Sequence, residues 1–324
     1  MDIPHEDALV DGWIDVHAHF FPPESQSVRR DRVQALQRAG WRINDIPEWT
    51  PEDTLFYMDR TGIRMQLLSY VPPDAAQLRD ANDYGAALLG KYPDRFGFLA
   101  ALPTDDPAAC LAEIARVPNE LAADGFAVQC IYHDVTLGDV RLELVWRELN
   151  RRGATVFVHP NAYGSDLGRP SALVEAPAQT TRTMVDLLYA GIFDRYPDIS
   201  FVVAHCGGGL PALSGRLALL GAEPWIPNAN RLTREDIVDQ LGRLYLDTAA
   251  AMPTALAPAL MMTGIQHLVY GSDCGVPCTT AATMHANLVA LLSFPDLNAD
   301  DKHNIGRNAL KLFPSVAIRV AAAP

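Results

Sequence analysis

The sequence predicts an α/β protein, a (β/α)8 TIM barrel with an insertion after strand one. Strand-like apolar runs alternate with helix-like segments, as in parallel βαβ units. Four of the strand-like segments deliver histidine or aspartate at the same end, and active-site residues of such barrels gather at the C-terminal strand ends. No Ser/Gly-rich or charged linker divides the 324 residues, so we expect a single domain over 1–324.

The first strand is predicted near residues 13–16 and ends in the segment that carries His17 and His19. An irregular, proline-containing stretch follows as far as Trp49, and we interpret it as an insertion over the strand end. Thr50 predicts a helix start, because a hydroxyl cap is followed there by a proline and two acidic residues. That helix is predicted to end near Gly62.

The later strands are apolar runs rich in β-branched and aromatic residues. We predict strands two to eight at residues 63–69, 96–101, 126–131, 155–159, 200–205, 244–247 and 267–271. The clearest helices between and after them are predicted near residues 74–91, 107–122, 180–193 and 299–312.

Composition limits the class of protein. With 26 basic and 39 acidic residues the formal net charge is −13, which argues against a nucleic-acid or anionic-membrane partner. Five cysteines without a Cys-x-x-Cys pair make a disulfide scaffold unexpected. We see no signal peptide and no uncharged apolar run of the roughly 20 residues that span a membrane. A cytoplasmic location is therefore expected.

The strand ends predict a metal site. Alternate side chains of a strand share a face, so His17 and His19 can bind one ion together. His159 ends strand five and Asp273 follows strand eight, which completes a nitrogen and oxygen set suited to a divalent metal. His205, at the end of strand six, would stand beside the ion. The alternative for each is structural: buried, hydrogen-bonded histidines and an aspartate that caps a turn.

Four ordered motifs carry a family resemblance. They read DVHAH at residues 15–19, FVHP at 157–160, AHCGGGLP at 204–211 and YGSD at 270–273. Together they resemble the amidohydrolase superfamily, within it the branch of aminocarboxymuconate semialdehyde decarboxylase and related aromatic-acid decarboxylases, from about residue 12 to residue 313. The resemblance implies one metal, usually zinc and in some members manganese, held by His17, His19, His159 and Asp273. It implies a catalytic role for His205, and we assign Asp273 to catalysis as well as to metal binding.

The lysine distribution favours one metal over two. Many binuclear amidohydrolases bridge their metals with a carboxylated lysine on strand four, and this chain has no lysine between Lys91 and Lys302. Cys130 lies on predicted strand four and is an alternative bridge. We favour the simpler interpretation of Cys130 as a small buried thiol.

Three residues are candidates for substrate binding. In the decarboxylase branch an arginine eleven residues after the strand-six histidine reaches the neighbouring subunit's site. The matching residue is Arg216, so a homodimer is expected. Arg169, in the loop after strand five, and His133, near the end of strand four, are further candidates. The alternative for the arginines is an ordinary surface position.

The chain departs from the branch around the pocket. The helix before strand two lacks the arginine that some of these decarboxylases use for the substrate carboxylate. After Asp273, relatives commonly carry an aromatic residue and a proline, whereas this chain has Cys-Gly-Val-Pro-Cys at 274–278. Substrate identity is therefore less determined by the sequence than metal chemistry.

Our leading hypothesis is non-oxidative decarboxylation of a small aromatic or unsaturated carboxylic acid with one divalent metal and no organic cofactor. The metal is expected to be zinc, with manganese second. The alternative enzyme is a hydrolase of a lactone, amide or carbon–carbon bond, or a dehydratase or cyclase of a polyketide-like molecule, with His205 as general base. A barrel that only binds metal or ligand is the third hypothesis. Release of carbon dioxide distinguishes the first from the others.

Overall fold

The apolar runs form parallel strands that neighbour one another in chain order. The computed structural model describes residues 9–161 and 168–322. Its main sheet has eight strands in the order β1-β2-β3-β4-β7-β8-β9-β10. Their bounds are β1 Trp13–His19, β2 Ile63–Ser69, β3 Phe96–Ala101, β4 Gly125–Gln129, β7 Thr155–His159, β8 Ser200–Val203, β9 Tyr245–Asp247 and β10 Leu268–Val269. A short antiparallel hairpin, β5 Ile131–Tyr132 and β6 Val135–Thr136, follows β4.

The last strand returns to the first and closes the barrel. The amide of Val16 donates to the carbonyl of Tyr270 at 2.9 Å, and the amide of His19 donates to the carbonyl of Cys274 at 2.7 Å. Between them, the amide of Asp273 donates to the carbonyl of His17 at 2.8 Å. The predicted TIM barrel is thereby confirmed.

Helices follow the strands and cover the outside of the barrel. They are α1 Gln26–Arg38, α2 Pro51–Thr61, α3 Ala75–Lys91, α4 Pro107–Arg116, α5 Glu143–Arg151, α6 Glu175–Tyr189, α7 Ile192–Arg195, α8 Leu210–Leu220, α9 Arg234–Gly242, α10 Pro253–Thr263, α11 Ala281–Leu292, α12 Ala299–Arg307, α13 Ala309–Leu312 and α14 Pro314–Ala322. Thr50 caps α2 by accepting from the amide of Asp53, and the helix ends at Gly62 with φ 83°, as predicted.

The stretch after β1 and the helix after β3 differ from the prediction. The stretch after β1 contains helix α1, which Ser25 starts by accepting from the amide of Val28. Only Val33 of this helix is buried, so the sequence shows almost no apolar periodicity there. The helix predicted over 107–122 ends at Arg116 and continues as a π-helical turn, Val117–Leu121. Pro118 lies in that turn, and it has no amide hydrogen for the α-helical ladder.

The barrel interior is apolar in its middle and closed at its N-terminal end. Side chains such as Val16, Leu67, Phe157 and Val202 fill the interior, and Phe313 and other residues of the C-terminal segment pack against them. We call the buried side chains of this segment the C-terminal plug: Ala309, Leu312, Phe313 and Val316. The hydroxyl of Thr155, the first residue of β7, donates to the carbonyl of Leu312 at 2.8 Å. The plug therefore lies at the N-terminal mouth of the barrel.

None of the helices in the described ranges is both long and apolar enough to cross a bilayer.

Candidate metal centre

The two histidines of β1 point to one place at the C-terminal end of the barrel. His17 is fully buried and His19 is 6% exposed, and their Nε2 atoms lie 3.1 Å apart. The pairing of β1 with β2 is irregular between Asp15 and Ala18. Such irregularities re-aim side chains near active sites. The histidines share a face, as the His-x-His spacing predicts.

Three side chains from other strands complete the cluster. The ring of His159, at the end of β7, lies 5.1 Å from that of His17 and 4.9 Å from that of His19 between centroids. Asp273, just after β10, brings Oδ1 to 3.2 Å from the Nε2 of His17 and 3.3 Å from that of His19. The donor atoms of His17, His159, Asp273 and His205 all lie within 4.8 Å of one another. The structure thus brings together all five residues that the sequence singled out.

Unpartnered polar atoms in this cluster fit a metal ion. The Nε2 of His159 is buried and has no hydrogen-bond partner among the described residues. The Oδ1 of Asp273 is buried beside the Nε2 atoms of His17 and His19 without a well-directed hydrogen bond to either. Buried polar atoms in proteins are almost always paired. Three imidazoles and one carboxylate, from His17, His19, His159 and Asp273, are a donor set that suits a divalent transition metal.

The charges of the cluster also favour a cation. Burial lowers the pKa of His19, and burial together with the neighbouring histidines holds the pKa of His159 well below its usual value. Both imidazoles are therefore neutral, which is the form that binds metal. Burial opposes ionisation of Asp273, but the surrounding histidines, His17 first, outweigh it and hold the pKa well below the ordinary range.

His17 shows how strongly this position attracts positive charge. Burial lowers its pKa, but the carboxylates of Asp247 and Asp273 outweigh burial and raise the pKa to about 10. In the metal-free protein a proton on His17 balances part of the negative charge. A divalent ion replaces such a proton when it binds, so the affinity for metal depends on pH.

Backbone strain coincides with the site. His205 has φ 55°, Cys206 has φ 56° and Asp273 has φ 59°, all in the left-handed region that L-residues with a side chain seldom occupy. Such conformations persist where surrounding contacts hold them, and they cluster at functional sites. His205 is placed with its Nε2 3.7 Å from the Oδ2 of Asp273, and its buried Nδ1 has no hydrogen-bond partner within the described ranges.

Two buried aspartates support the cluster from behind. Asp247, the last residue of β9, lies 2.6 Å through Oδ2 from the Nδ1 of His17. Asp15 accepts from the amides of His17 and Ser272, each at 3.0 Å, and from the amide nitrogen of Gln66 at 2.8 Å. Burial raises the pKa of Asp15 to about 6. Sequence reasoning did not single out Asp247, although it ends predicted strand seven just as the histidines end their strands.

The three predicted substrate-binding residues lie at different distances from this centre. His133 is half-exposed beyond β5, with Nδ1 2.6 Å from the Oδ2 of Asp105. Arg216 is exposed on α8. Arg169 is also exposed: its guanidinium donates to the carbonyl of Gly168, and its backbone lies near Gly40. Within the described residues neither arginine contacts the metal cluster, and all three roles stay predictions.

The cysteines divide between the core and the rim of the site. Cys130 is fully buried in the apolar core, where burial raises the pKa of its thiol to about 12, and it is outside the cluster of donor atoms. Cys278 places its Sγ 3.9 Å from the Oδ2 of Asp273. The 274–278 loop, the segment where the chain departs from the branch, therefore contacts a proposed ligand.

Comparisons with known proteins agree with this geometry. The sequence model of the amidohydrolase family matches residues 14–315. A decarboxylase of Penicillium terrestre is 32% identical, with 94% of this chain and 96% of the relative covered. The 6-methylsalicylic acid decarboxylase of Penicillium expansum is 31% identical, over 93% of this chain and 96% of the relative. A solved structure described as amidohydrolase II superposes with a TM-score of 0.76 at 26% identity, covering 96% of this chain and all of the other.

Proposed function

Because the chain belongs to the amidohydrolase family, we propose that it is a metal-dependent decarboxylase of an aromatic carboxylic acid. The convergence of His17, His159, His205 and Asp273 at the C-terminal end of the barrel carries this conclusion. Relatives that match more than nine-tenths of the chain are named decarboxylases. The hydrolase and cyclase alternatives are not favoured.

The residues of the cluster divide between binding the metal and moving a proton. His17, His19, His159 and Asp273 hold the metal. When bound, a divalent ion acts as a Lewis acid toward the substrate carboxylate and an adjacent oxygen. His205 lies beside the proposed ligands and is assigned to proton transfer, since its Nδ1 has no hydrogen-bond partner among the described residues.

His205 supplies the proton that replaces the carboxyl group. The imidazolium donates its proton to the ring carbon that bears the carboxylate. The bond from that carbon to the carboxylate then breaks, its electron pair restores the aromatic ring, and carbon dioxide leaves. Asp273, whose Oδ2 lies 3.7 Å from the Nε2 of His205, orients the imidazole for the transfer. The protonated ring itself accepts the electron pair of the broken bond, so this step uses no organic cofactor as an electron sink.

For the substrate we propose a benzoic acid with a hydroxyl group next to the carboxylate. One relative is named for 6-methylsalicylic acid, an acid of this kind. A hydroxyl in that position gives the substrate a second oxygen for the metal, and it donates electrons to the ring carbon that is protonated. A muconic-type acid is the second choice.

For the metal we propose zinc, with manganese as the alternative. Three neutral imidazoles and one carboxylate match the ligands that zinc binds in catalytic sites. The pKa values of His19 and His159 are lowered by burial, which keeps both imidazoles in the ligating form near neutral pH.

We also propose a homodimer in which Arg216 binds the substrate carboxylate of the neighbouring site. Leu213, Arg216 and Leu219 follow one another at three-residue spacing on α8 and so lie near one another on its surface. The two leucines are 43% and 63% exposed, so the surface around Arg216 is partly apolar. Sedimentation measures the oligomeric state.

Mixing and refolding His205→Ala with Arg216→Ala would regenerate activity only if one site uses residues of two chains.

A cytoplasmic location remains part of the proposal. All five cysteines are free thiols, at positions 110, 130, 206, 274 and 278. Free thiols in this number are typical of a reducing compartment.

The test of the function is carbon dioxide release from a panel of hydroxybenzoic and muconic-type acids. We expect about one equivalent of metal per chain and stoichiometric carbon dioxide and phenol from at least one ortho-hydroxy acid. Removal of the metal with a chelator abolishes turnover, and zinc or manganese restores it. Metal binding without carbon dioxide from any acid would favour the hydrolase or cyclase, and failure to bind metal would contradict the proposal.

A further inference from the structure

One carboxylate connects the metal site to the loop that carries His205. Asp247 is fully buried at the end of β9. Its Oδ2 lies 2.6 Å from the Nδ1 of His17. Its Oδ1 accepts from the backbone amides of Cys206 and Ala249, both at 3.0 Å. Each oxygen therefore serves a different part of the site.

The contact to His17 determines which nitrogen faces the metal. A carboxylate accepts hydrogen bonds and does not donate them, so the Nδ1 of His17 carries the proton. The lone pair of Nε2 is then directed to the cluster, 3.1 Å from His19 and 3.2 Å from the Oδ1 of Asp273. A partner of this kind fixes the ring orientation and the tautomer of a ligating histidine.

The contact to Cys206 holds the strained backbone beside His205. His205 and Cys206 both have left-handed φ angles, a conformation that is sterically unfavourable for residues with a side chain. In this conformation of the loop, the amide of Cys206 donates to the Oδ1 of Asp247. The hydrogen bond therefore stabilises the geometry that places His205 at the cluster.

A close backbone approach lets the pair meet. Gly271 lies between the two side chains. A Cβ atom at this position would come within 2.9 Å of the Cβ of His17 and 3.0 Å of the Cβ of Asp247. No larger residue fits without separating them, so the contact is built into the packing of β1, β9 and β10.

We infer that Asp247 is a positioning residue with two tasks: it holds His17 in the tautomer that binds the metal, and it fixes the loop of His205. This inference rests on the proposed metal site but not on the identity of the substrate. Asparagine is the informative replacement, because its amide has the same shape but only one accepting oxygen. If that oxygen faces Cys206 and Ala249, its NH2 group faces Nδ1 and moves the proton of His17 to Nε2. If the oxygen faces His17, the NH2 group meets two amide donors.

The experiment measures zinc affinity by chelator competition and records the ring-nitrogen protons of the zinc-loaded protein by NMR. The wild type should show a downfield, slowly exchanging Nδ1 proton for His17. Asp247→Asn should lose this signal and bind zinc about 10- to 100-fold more weakly, the range typical for partners of metal ligands. Zinc affinity within twofold of the wild type together with an unchanged proton signal would overturn the inference.

Two further variants separate positioning from folding. Asp186→Asn removes an exposed carboxylate that accepts from the amide of Gly138 but contacts no histidine in the described structure, and it should bind zinc normally. Asp247→Glu keeps the charged acceptor but is bulkier, so it should lose less affinity than Asp247→Asn if the carboxylate matters. A larger loss for Glu than for Asn would show a packing role and refute the inference. Wild-type protein that binds zinc but releases no carbon dioxide would refute the proposed activity alone.

Discussion

The two ends of the barrel are built on different principles. At the C-terminal end, the buried Nε2 of His159 and Nδ1 of His205 have no hydrogen-bond partner among the described residues, and Asp273 has a left-handed backbone. At the N-terminal end the C-terminal plug brings Phe313, fully buried, against an apolar interior. The C-terminal end holds buried polar groups that suit catalysis, whereas the N-terminal end contributes hydrophobic stabilisation of the fold. This division is expected of barrels whose active sites lie at the C-terminal strand ends.

The largest effect should come from His205 and should concern activity alone. In His205→Ala we expect carbon dioxide release to fall about 10²- to 10⁴-fold, the usual contribution of a general acid. The four proposed ligands remain, so the metal content should not change. Stability should change little, because alanine keeps the same backbone strain. Elemental analysis, steady-state rates and thermal unfolding test the three points together, and loss of the metal would make His205 a ligand instead.

At the N-terminal end of the barrel we expect a substitution to change stability and leave activity unchanged. Phe313→Ala should lower the free energy of unfolding by about 3–5 kcal/mol, as for other fully buried aromatic residues. Metal affinity and kcat of the folded fraction should be retained, because the plug contacts the N-terminal ends of the strands. Urea unfolding and chelator competition measure the two effects. A loss of metal affinity in the folded protein would show that the ends are coupled.

A smaller effect on stability is expected where a left-handed backbone conformation lies far from the metal cluster. Ala122, exposed at φ 50°, lies three residues before β4, at the N-terminal end of the barrel. Ala122→Gly should raise the free energy of unfolding by up to about 1 kcal/mol, because glycine adopts this conformation without steric cost. Activity should be unchanged. Thermal unfolding that shows destabilisation would indicate that the entropy cost of glycine exceeds the relief of strain.

The smallest effect concerns pH and the rim of the C-terminal end. The hydrogen bond to Asp105 raises the pKa of His133 above its ordinary 6.5. The pair therefore stabilises the fold fully below the unfolded pKa of His133, and this contribution is lost as pH rises through the folded pKa. Since His133 is exposed, the change should be slight. NMR titration should give a lower pKa for His133 in Asp105→Asn, and an equal pKa in both proteins would contradict the pairing.

The sequence predicted the repeated elements of the barrel, namely its strands and the residues that follow them. Eight apolar runs became eight barrel strands, since parallel strands buried on both faces read as continuous apolar segments. The strand endings predicted the cluster, because parallel strands bring their C-terminal ends to one edge. His159 and His205 are distant in sequence, yet they meet for that reason.

Features that depend on single contacts were not predicted. Asp247 ends a strand of only three residues, where an aspartate is as typical of a turn as of a site. Its importance depends on one oxygen of its carboxylate meeting Nδ1 of His17, and no spacing encodes that distance. Helix α1 was missed for a different reason: it buries a single residue, so its sequence lacks an apolar stripe.

The C-terminal plug closes the N-terminal mouth of the barrel, so the described barrel is not open at both ends. In the described structure, residues such as Leu312 and Phe313 fill the mouth opposite the metal cluster. If the proposed substrate class is correct, the acid and its phenol product both pass through the C-terminal mouth of the described barrel. A phenol that remains bound inside the barrel then blocks binding of the next acid, so the phenol is expected to inhibit the enzyme competitively.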